Sequence, residues 1–362
     1  MQTATGDRLV DQLRGNQGDT SPAFRVDAAR YRDDAWLARE RATAFARPVP
    51  VLASSSLAPG ACVPIDTPIA SALLVRSPDN TVRAFRNACR HRGTRLVDAP
   101  QAARRAIVCP YHGWTYGLDG ALVHAPHAAA FAPEPLHERS LHQLPVAEHH
   151  GLIWLNTRDP AGFLGDLDGD LAALDLASHA VHRTARTTRR CNWKLVVEAF
   201  LDGYHIRVLH RDSIYRFFLD AASAAERVGP HIRAVTGRRT LHDAGPTELR
   251  AIATPSLSIF PATTIIVHPD FVSLVTALPI TPDTTDYQHT MLVPAARAGD
   301  TAHWDKSWSL IEDTVFQRED LWVCEQVQRG IAAGTDHLLF GALEHAVGWF
   351  HDELERAVAT TS

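Results

Sequence analysis

Hydrophobic and polar positions divide the chain into stretches of different period. Residues 1–30 are polar and predict a loosely held segment, after which Trp36 to Ala46 interleaves Arg and Glu with apolar positions as a helix does. The period then shortens. Ser71 to Arg76 and Thr81 to Phe85, parted by Pro78-Asp79-Asn80, predict a hairpin, and Ala106 to Cys109, Trp114 to Tyr116 and Gly151 to Asn156 predict further short strands. Asn156 to Asp175 is rich in Asp, Gly and Pro and reads as linker. Beyond it, Ala251 to Phe260, Thr263 to Val267, Phe271 to Pro279 and Tyr287 to Val293 predict antiparallel strands, and 303–330 and 336–358 predict two helices. Runs of strands bracketed by helices indicate α+β rather than alternating βαβ units. The expected division is an N-terminal segment 1–35, a small all-β domain 36–155, a linker 156–182 and a larger domain 183–362 with an antiparallel sheet bracketed by helices.

Length supports two domains, since 362 residues can bury more than one core. With a net charge of −5 and no Lys or Arg run longer than a pair, a nucleic-acid partner is not expected. Met1 to Thr20 has no apolar core, so no signal peptide is expected, and no stretch approaches the roughly 18 apolar residues of a membrane span. The expected location is the cytoplasm. Of five cysteines, Cys62, Cys191 and Cys324 read as reduced core thiols, because Cys89 and Cys109 stand in a ligand pattern.

That pattern is Cys89-x-His91 and Cys109-x-x-His112, separated by a seventeen-residue spacer. A Rieske [2Fe-2S] cluster needs two thiolates on one iron and two imidazoles on the other, so each loop must offer one of each. Gly93 and Gly113 provide turns close to the sulfurs, and Trp114 an aromatic shield. Zinc also accepts two Cys and two His, but the Gly-Trp context is not that of a zinc finger.

A second constellation is Asp202-Gly-Tyr-His205, with His210 five residues on. On an ideal helix the two imidazoles would lie about 140° apart, so a π-bulge or helix end is expected between them. Two histidines and a carboxylate would form the facial triad of non-haem Fe(II) oxygenases; the alternative is ordinary polar packing. The third ligand is sought in Gln317 to Gly330, which also reads as an amphipathic helix with its charges in water.

Together these segments resemble the large subunit of Rieske non-haem iron oxygenases of the ring-hydroxylating type, from about Tyr31 to about Leu354. The resemblance is carried by Cys-Arg-His-Arg-Gly at 89–93, Cys-Pro-Tyr-His-Gly-Trp at 109–114, Asn-Trp-Lys…Glu…Asp-x-Tyr-His-x4-His at 192–210 and Glu-Asp…Glu-x-x-Gln-Arg-Gly at 319–330. Respiratory Rieske proteins have two further cysteines where this chain has Thr94 and Tyr111, which resembles the oxygenase and ferredoxin branch. The resemblance implies mononuclear iron on His205, His210 and Asp320, with Glu319 the fallback. It also implies that Asp202 bridges electrons from a cluster histidine across a subunit boundary. Ala199 departs from the Asn that many ring-hydroxylating members carry after Glu198. An external NAD(P)H-dependent reductase or ferredoxin is implied, since no Gly-rich dinucleotide site or flavin motif is present.

The 319–330 segment and the Glu344 to His351 tail are closest to the choline, betaine and carnitine branch. This favours hydroxylation or demethylation of a small quaternary or N-methylated amine by a homotrimer, with room left for a small second subunit. The alternative is an aromatic-ring dioxygenase or O-demethylase acting on an aromatic acid. A Rieske electron carrier without oxygenase activity would need the cluster but not His205, His210 and Asp320. Tyr204, Tyr215, Phe217, Phe218, Phe260, Phe271, Trp304, Trp308 and Trp322 are the aromatics from which a few pocket residues are expected.

Overall fold

The protein is described by a computed structural model over residues 4–14, 21–102, 105–243 and 248–359. It divides into two compact units, one of residues 50–160 and one of residues 1–49 with 161–362.

In the 50–160 unit, short strands build three small sheets among the described residues. The predicted hairpin forms from Ser71–Arg76 and Val82–Arg86, with Ala72 opposite Arg86 and Arg76 opposite Val82. Asn80 closes its turn at φ 70°, a conformation that Asn tolerates better than most residues. A second sheet of Ala106–Val108, Thr115–Gly117 and Leu122–His124 faces the same core, where Leu73, Val75, Phe85, Trp114 and Tyr116 are buried together.

The other unit is built on a seven-stranded antiparallel sheet in the order His179–Arg189, Thr284–Pro294, Val272–Thr281, Thr263–Val267, Ala253–Ile259, His231–Arg238, Phe218–Val228. Helix Trp193–Leu201, capped by the Asn192 side chain on the Lys194 amide, packs against the sheet and helix Leu321–Ala332. The expected α+β class and antiparallel sheet are present.

Several boundaries differ from the sequence expectation. Residues 4–14 form a helix whose Leu9 and Val10 pack with Val235 and Leu241, and Phe24–Asp27 is a strand paired with His337–Phe340. The described residues of the first 30 are therefore tied down at two places, and the stretch expected as a single helix over 336–358 opens as a strand before helix His345–Ala359. Residues 36–49 belong with the larger unit, because helix Asp34–Thr43 buries Glu40 against Trp193 and Lys194. Within the expected linker, Leu164, Leu167, Leu171, Leu174 and Leu176 are buried, and strand His179–Arg189 begins before residue 183. Their spacing of two to four residues lets the helical turns here, among them the short helices Pro160–Leu164 and Asp168–Ala173, hold an apolar face inward.

Candidate metal centres and the adjoining cavity

Within the 50–160 unit, Cys89 and His91 follow strand Val82–Arg86, and Cys109 and His112 lie between Ala106–Val108 and Thr115–Gly117. The two loops repeat one hydrogen-bond pattern. The Cys89 amide donates to the Thr94 carbonyl (2.8 Å) and the Gly93 amide to the Cys89 carbonyl (2.9 Å); the Cys109 amide donates to Trp114 (2.8 Å) and the Gly113 amide to Cys109 (3.1 Å). Both turns pass through left-handed glycine, at φ 78° and 70°, where a β-carbon would be strained.

The two thiols are buried, whereas His112 and Tyr111 are exposed. The His91 and His112 rings lie 4.7 Å apart; Trp114 stacks on His91 at 4.9 Å and Tyr111 on His112 at 3.6 Å. Tyr116 hydroxyl is 3.2 Å from Cys89 Sγ and accepts the Arg90 amide at 2.9 Å. Burial pushes the Cys89 thiol up and Cys109 adds to this, while Tyr116 opposes it. His91 Nδ1 is buried without a hydrogen-bond partner, leaving a lone pair that a metal would engage. This donor set, with thiols inside and imidazoles toward the surface, fits a Rieske cluster.

In the larger unit, helix Trp193–Leu201 stops at Asp202, whose extended backbone (φ −101°, ψ 125°) breaks the helical path. His205 and His210 then bracket one turn, Ile206–Leu209. The expected helix end thus occurs, and it brings His205 Nε2 to 3.1 Å from His210 Nε2. Asp320 Oδ1 lies 3.5 Å from the first and 3.1 Å from the second. The π-helical geometry is found in Ser309–Asp320, set within the helical run from Thr301 to Ala332, so the wider turns precede the carboxylate rather than the histidines.

Each imidazole is held from behind by a carboxylate. Asp202 Oδ2 is 3.1 Å from His205 Nδ1, and Glu319 Oε2 is 2.7 Å from His210 Nδ1 and accepts the Ser213 hydroxyl at 2.7 Å. Such contacts fix the Nδ1–H tautomer and present the Nε2 lone pairs. Burial pulls His210 down, but Asp320 and Glu319 outweigh it and the net shift is upward. Asp320 Oδ1 is buried with no hydrogen-bond partner. His205, His210 and Asp320 could hold a metal, and an unsatisfied carboxylate oxygen between two imidazole nitrogens is what such an ion would satisfy. Glu319 instead faces the far nitrogen of His210.

These residues border a cavity of about 220 Å³ with Phe200, Ile214, Phe217, Phe218, Phe271 and Phe316 in its wall. Of the nine aromatics singled out in the sequence, Phe217, Phe218 and Phe271 line it; Trp304 and Trp308 are core, and Tyr204 and Trp322 are exposed. Ala199 also lines the cavity, so the departure from Asn falls on the pocket. Sequence reasoning missed Phe200, Phe316, Arg238 and His268. Burial pushes His268 down to about 3, helped by His289 and Arg238, so it is neutral. It hydrogen-bonds Ser273 (3.1 Å), which bonds His289 (2.9 Å), which in turn meets buried Glu312 (2.9 Å). The buried thiols outside the cluster loops behave as expected of inert core residues: burial raises Cys62 to about 11 and Cys191 to about 12.

Known proteins share the domains and the fold of this chain. The family model for the ring hydroxylating alpha subunit catalytic domain matches residues 176–360, and that for the Rieske [2Fe-2S] domain matches 47–145. The chain is 27% identical to the carnitine monooxygenase oxygenase subunit of Escherichia coli (strain K12) over 362 residues, covering 92% of this chain and 93% of that protein. A crystal structure of the quaternary ammonium Rieske monooxygenase CntA with an inhibitor superimposes with a TM-score of 0.81 at 21% identity, covering 95% of this chain and 97% of that one. Naphthalene 1,2-dioxygenase from Rhodococcus sp. bound to indole superimposes with a TM-score of 0.79 at 19% identity, covering 99% and 98%. At these identities the two structures show the shared fold.

Proposed function

The chain belongs to the family of ring-hydroxylating α subunits, the Rieske non-haem iron oxygenases, and from that premise we propose that it hydroxylates a small quaternary or N-methylated amine beside nitrogen. The observation that carries this reading is the convergence of His205 Nε2, His210 Nε2 and the unsatisfied Asp320 Oδ1 at the wall of a largely apolar cavity. Cys89, His91, Cys109 and His112 would hold the [2Fe-2S] cluster and His205, His210 and Asp320 the mononuclear iron; when bound, these centres supply electrons and oxygen activation.

The protein's own part is positional. Asp202 and Glu319 keep both imidazoles in one tautomer and aim. The five phenylalanines of the wall exclude water, and Phe200, Phe271 and Phe316 can face a methylammonium group, each well-placed ring contributing about 0.5–2 kcal/mol. Asp202, whose side chain is 16% exposed, would link His205 to a cluster histidine of a neighbouring copy.

The amine preference rests on the likeness to the carnitine enzyme across nearly the whole of both chains. A second reading, oxidation of an aromatic acid, is favoured by the same phenylalanine wall. Electrons would come from an external reductase or ferredoxin. Among the described residues no helix is long and apolar enough to cross a membrane, and we place the enzyme in the cytoplasm.

The test is product analysis. The holoenzyme is incubated with a reductase, NADH, O₂ and N-methyl-labelled amines, and formaldehyde or an aldehyde product is expected in step with NADH and O₂ consumed. Phenols or cis-diols from an aromatic acid, with no turnover of any methylated amine, would reverse the preference.

A further inference from the structure

The cavity wall holds a cation that the proposed reaction leaves without a role. Arg238 ends strand His231–Arg238, opposite Phe218, and lines the same cavity as His205, His210 and Asp320. Arg233, on the same strand, pairs with two carboxylates, Asp170 and Glu226. Arg238 makes one hydrogen bond among the described residues, to Thr254 Oγ1 at 3.1 Å, and no carboxylate there comes within ion-pairing distance. Its guanidinium is steadied over the rings of Phe217 and Phe218, at 5.7 and 5.4 Å from their centres. Of the two carboxylates in the wall, Asp202 faces His205 Nδ1 and Asp320 lies between the two Nε2 atoms, so both point at the imidazoles and not at Arg238.

We propose that Arg238 recognises a carboxylate on the substrate, so that the enzyme acts on small organic acids rather than on cations lacking an acid group. This deepens the proposed function and rests on that cavity being the substrate site. A guanidinium presents two parallel N–H donors that match the two oxygens of a carboxylate, and it does so best where water is scarce. Thr236, Thr254 and Ser256 add hydroxyl groups to the same wall. His268 adds no charge because burial holds it neutral, and a single cation suits a carboxylate monoanion better than a phosphate. Burial also lowers Arg238 from the ordinary arginine range with no anion to offset it, and a bound carboxylate would supply that offset. A purely cationic amine would instead share the cavity with an uncompensated charge.

The test is anaerobic calorimetric binding to the holoenzyme with three probes: trimethylammonio-butanoate, its methyl ester, and the acid in which a tert-butyl carbon replaces the ammonium nitrogen. Wild type should bind both acids roughly ten- to a hundredfold tighter than the ester, as a charge-assisted pair implies. Arg238→Gln should bring the acids down to the ester while leaving the ester unchanged, and Arg238→Lys should keep part of the preference. Equal binding of acid and ester by wild type, or an equal loss of both in Arg238→Gln, overturns the inference. If Arg238→Gln does not fold, the wild-type pair and the Lys variant decide. The third probe separates the two readings. A tert-butyl acid that binds as well as the ammonium acid removes the amine preference and leaves Arg238 standing, whereas ammonium preference without acid preference does the reverse.

Discussion

Asp320 and Glu319 are adjacent in sequence, yet their side chains face opposite nitrogens of His210. Their substitutions should therefore separate. Asp320→Ala is expected to empty the mononuclear site, whereas Glu319→Gln should retain the metal with affinity lowered about ten- to a hundredfold, as measured by chelator competition. The opposite order would make Glu319 the ligand. Asp202→Asn should keep both centres spectroscopically intact and stop coupled turnover, since it weakens a hydrogen bond to His205 without removing a ligand; normal oxygen consumption would show Asp202 to be structural. His231 gives a pH prediction. Its Nε2–H donates to the Phe163 carbonyl and its Nδ1 accepts the Phe260 amide, so only the neutral ring fits, and burial lowers it to about 4. The unfolded chain binds that proton more readily, so stability is fully present above about pH 6.5 and falls as pH drops toward 4, by on the order of 3 kcal/mol. Urea midpoints at pH 7 and 4.5 should differ accordingly, and the difference should shrink in His231→Gln.

Helix Trp193–Leu201 is anchored by a charge pair with no exposure: Lys194 Nζ meets Glu40 Oε1 at 2.7 Å, and Glu40 also accepts from Trp36 and Trp193. Replacing Glu40 with Ala strands a buried ammonium and two indole donors, so a loss of about 3–5 kcal/mol is expected in denaturant unfolding; a loss under about 1 kcal/mol would mean that water reaches Lys194. The role of Glu40 was hidden in a helix that reads as evenly charged. By contrast, the inner strands Thr263–Val267 and Val272–Thr281 were legible because they are rich in Val, Ile, Leu and Thr, while the edge strands His179–Arg189 and Phe218–Val228 were not. Each edge strand has a partner on one side alone, tolerates polar residues, and in 218–228 carries alanines that prefer helix. At the site, the cluster pairs were visible because each loop holds its two ligands within four residues, and the helix end between His205 and His210 followed from helix geometry. Asp320 lies 110 residues beyond His210 and needed the family likeness to be picked out. Arg238 gave no signal, because its meaning lies in a partner it lacks.

At the scale of the whole molecule, apolar residues are exposed in both units: Tyr111 at 56% in one, and Tyr204, Val208 and Trp322 at 61%, 80% and 50% in the other. We expect these to be covered in a head-to-tail homotrimer, the arrangement in which Asp202 of one copy would receive a cluster histidine of the next. Sedimentation should give a trimer, and Val208→Asp should weaken it and coupled turnover together; a fully active monomer would refute this. One chain is expected to hold two separate iron centres, on Cys89, His91, Cys109 and His112 and on His205, His210 and Asp320, and counting irons checks both at once. The reconstituted wild-type protein should hold about three irons per chain, Asp320→Ala about two with the cluster's visible absorption intact, and Cys89→Ser about one with that absorption lost. Two irons in wild type, unchanged in Asp320→Ala, would rule out the mononuclear centre and leave an electron carrier.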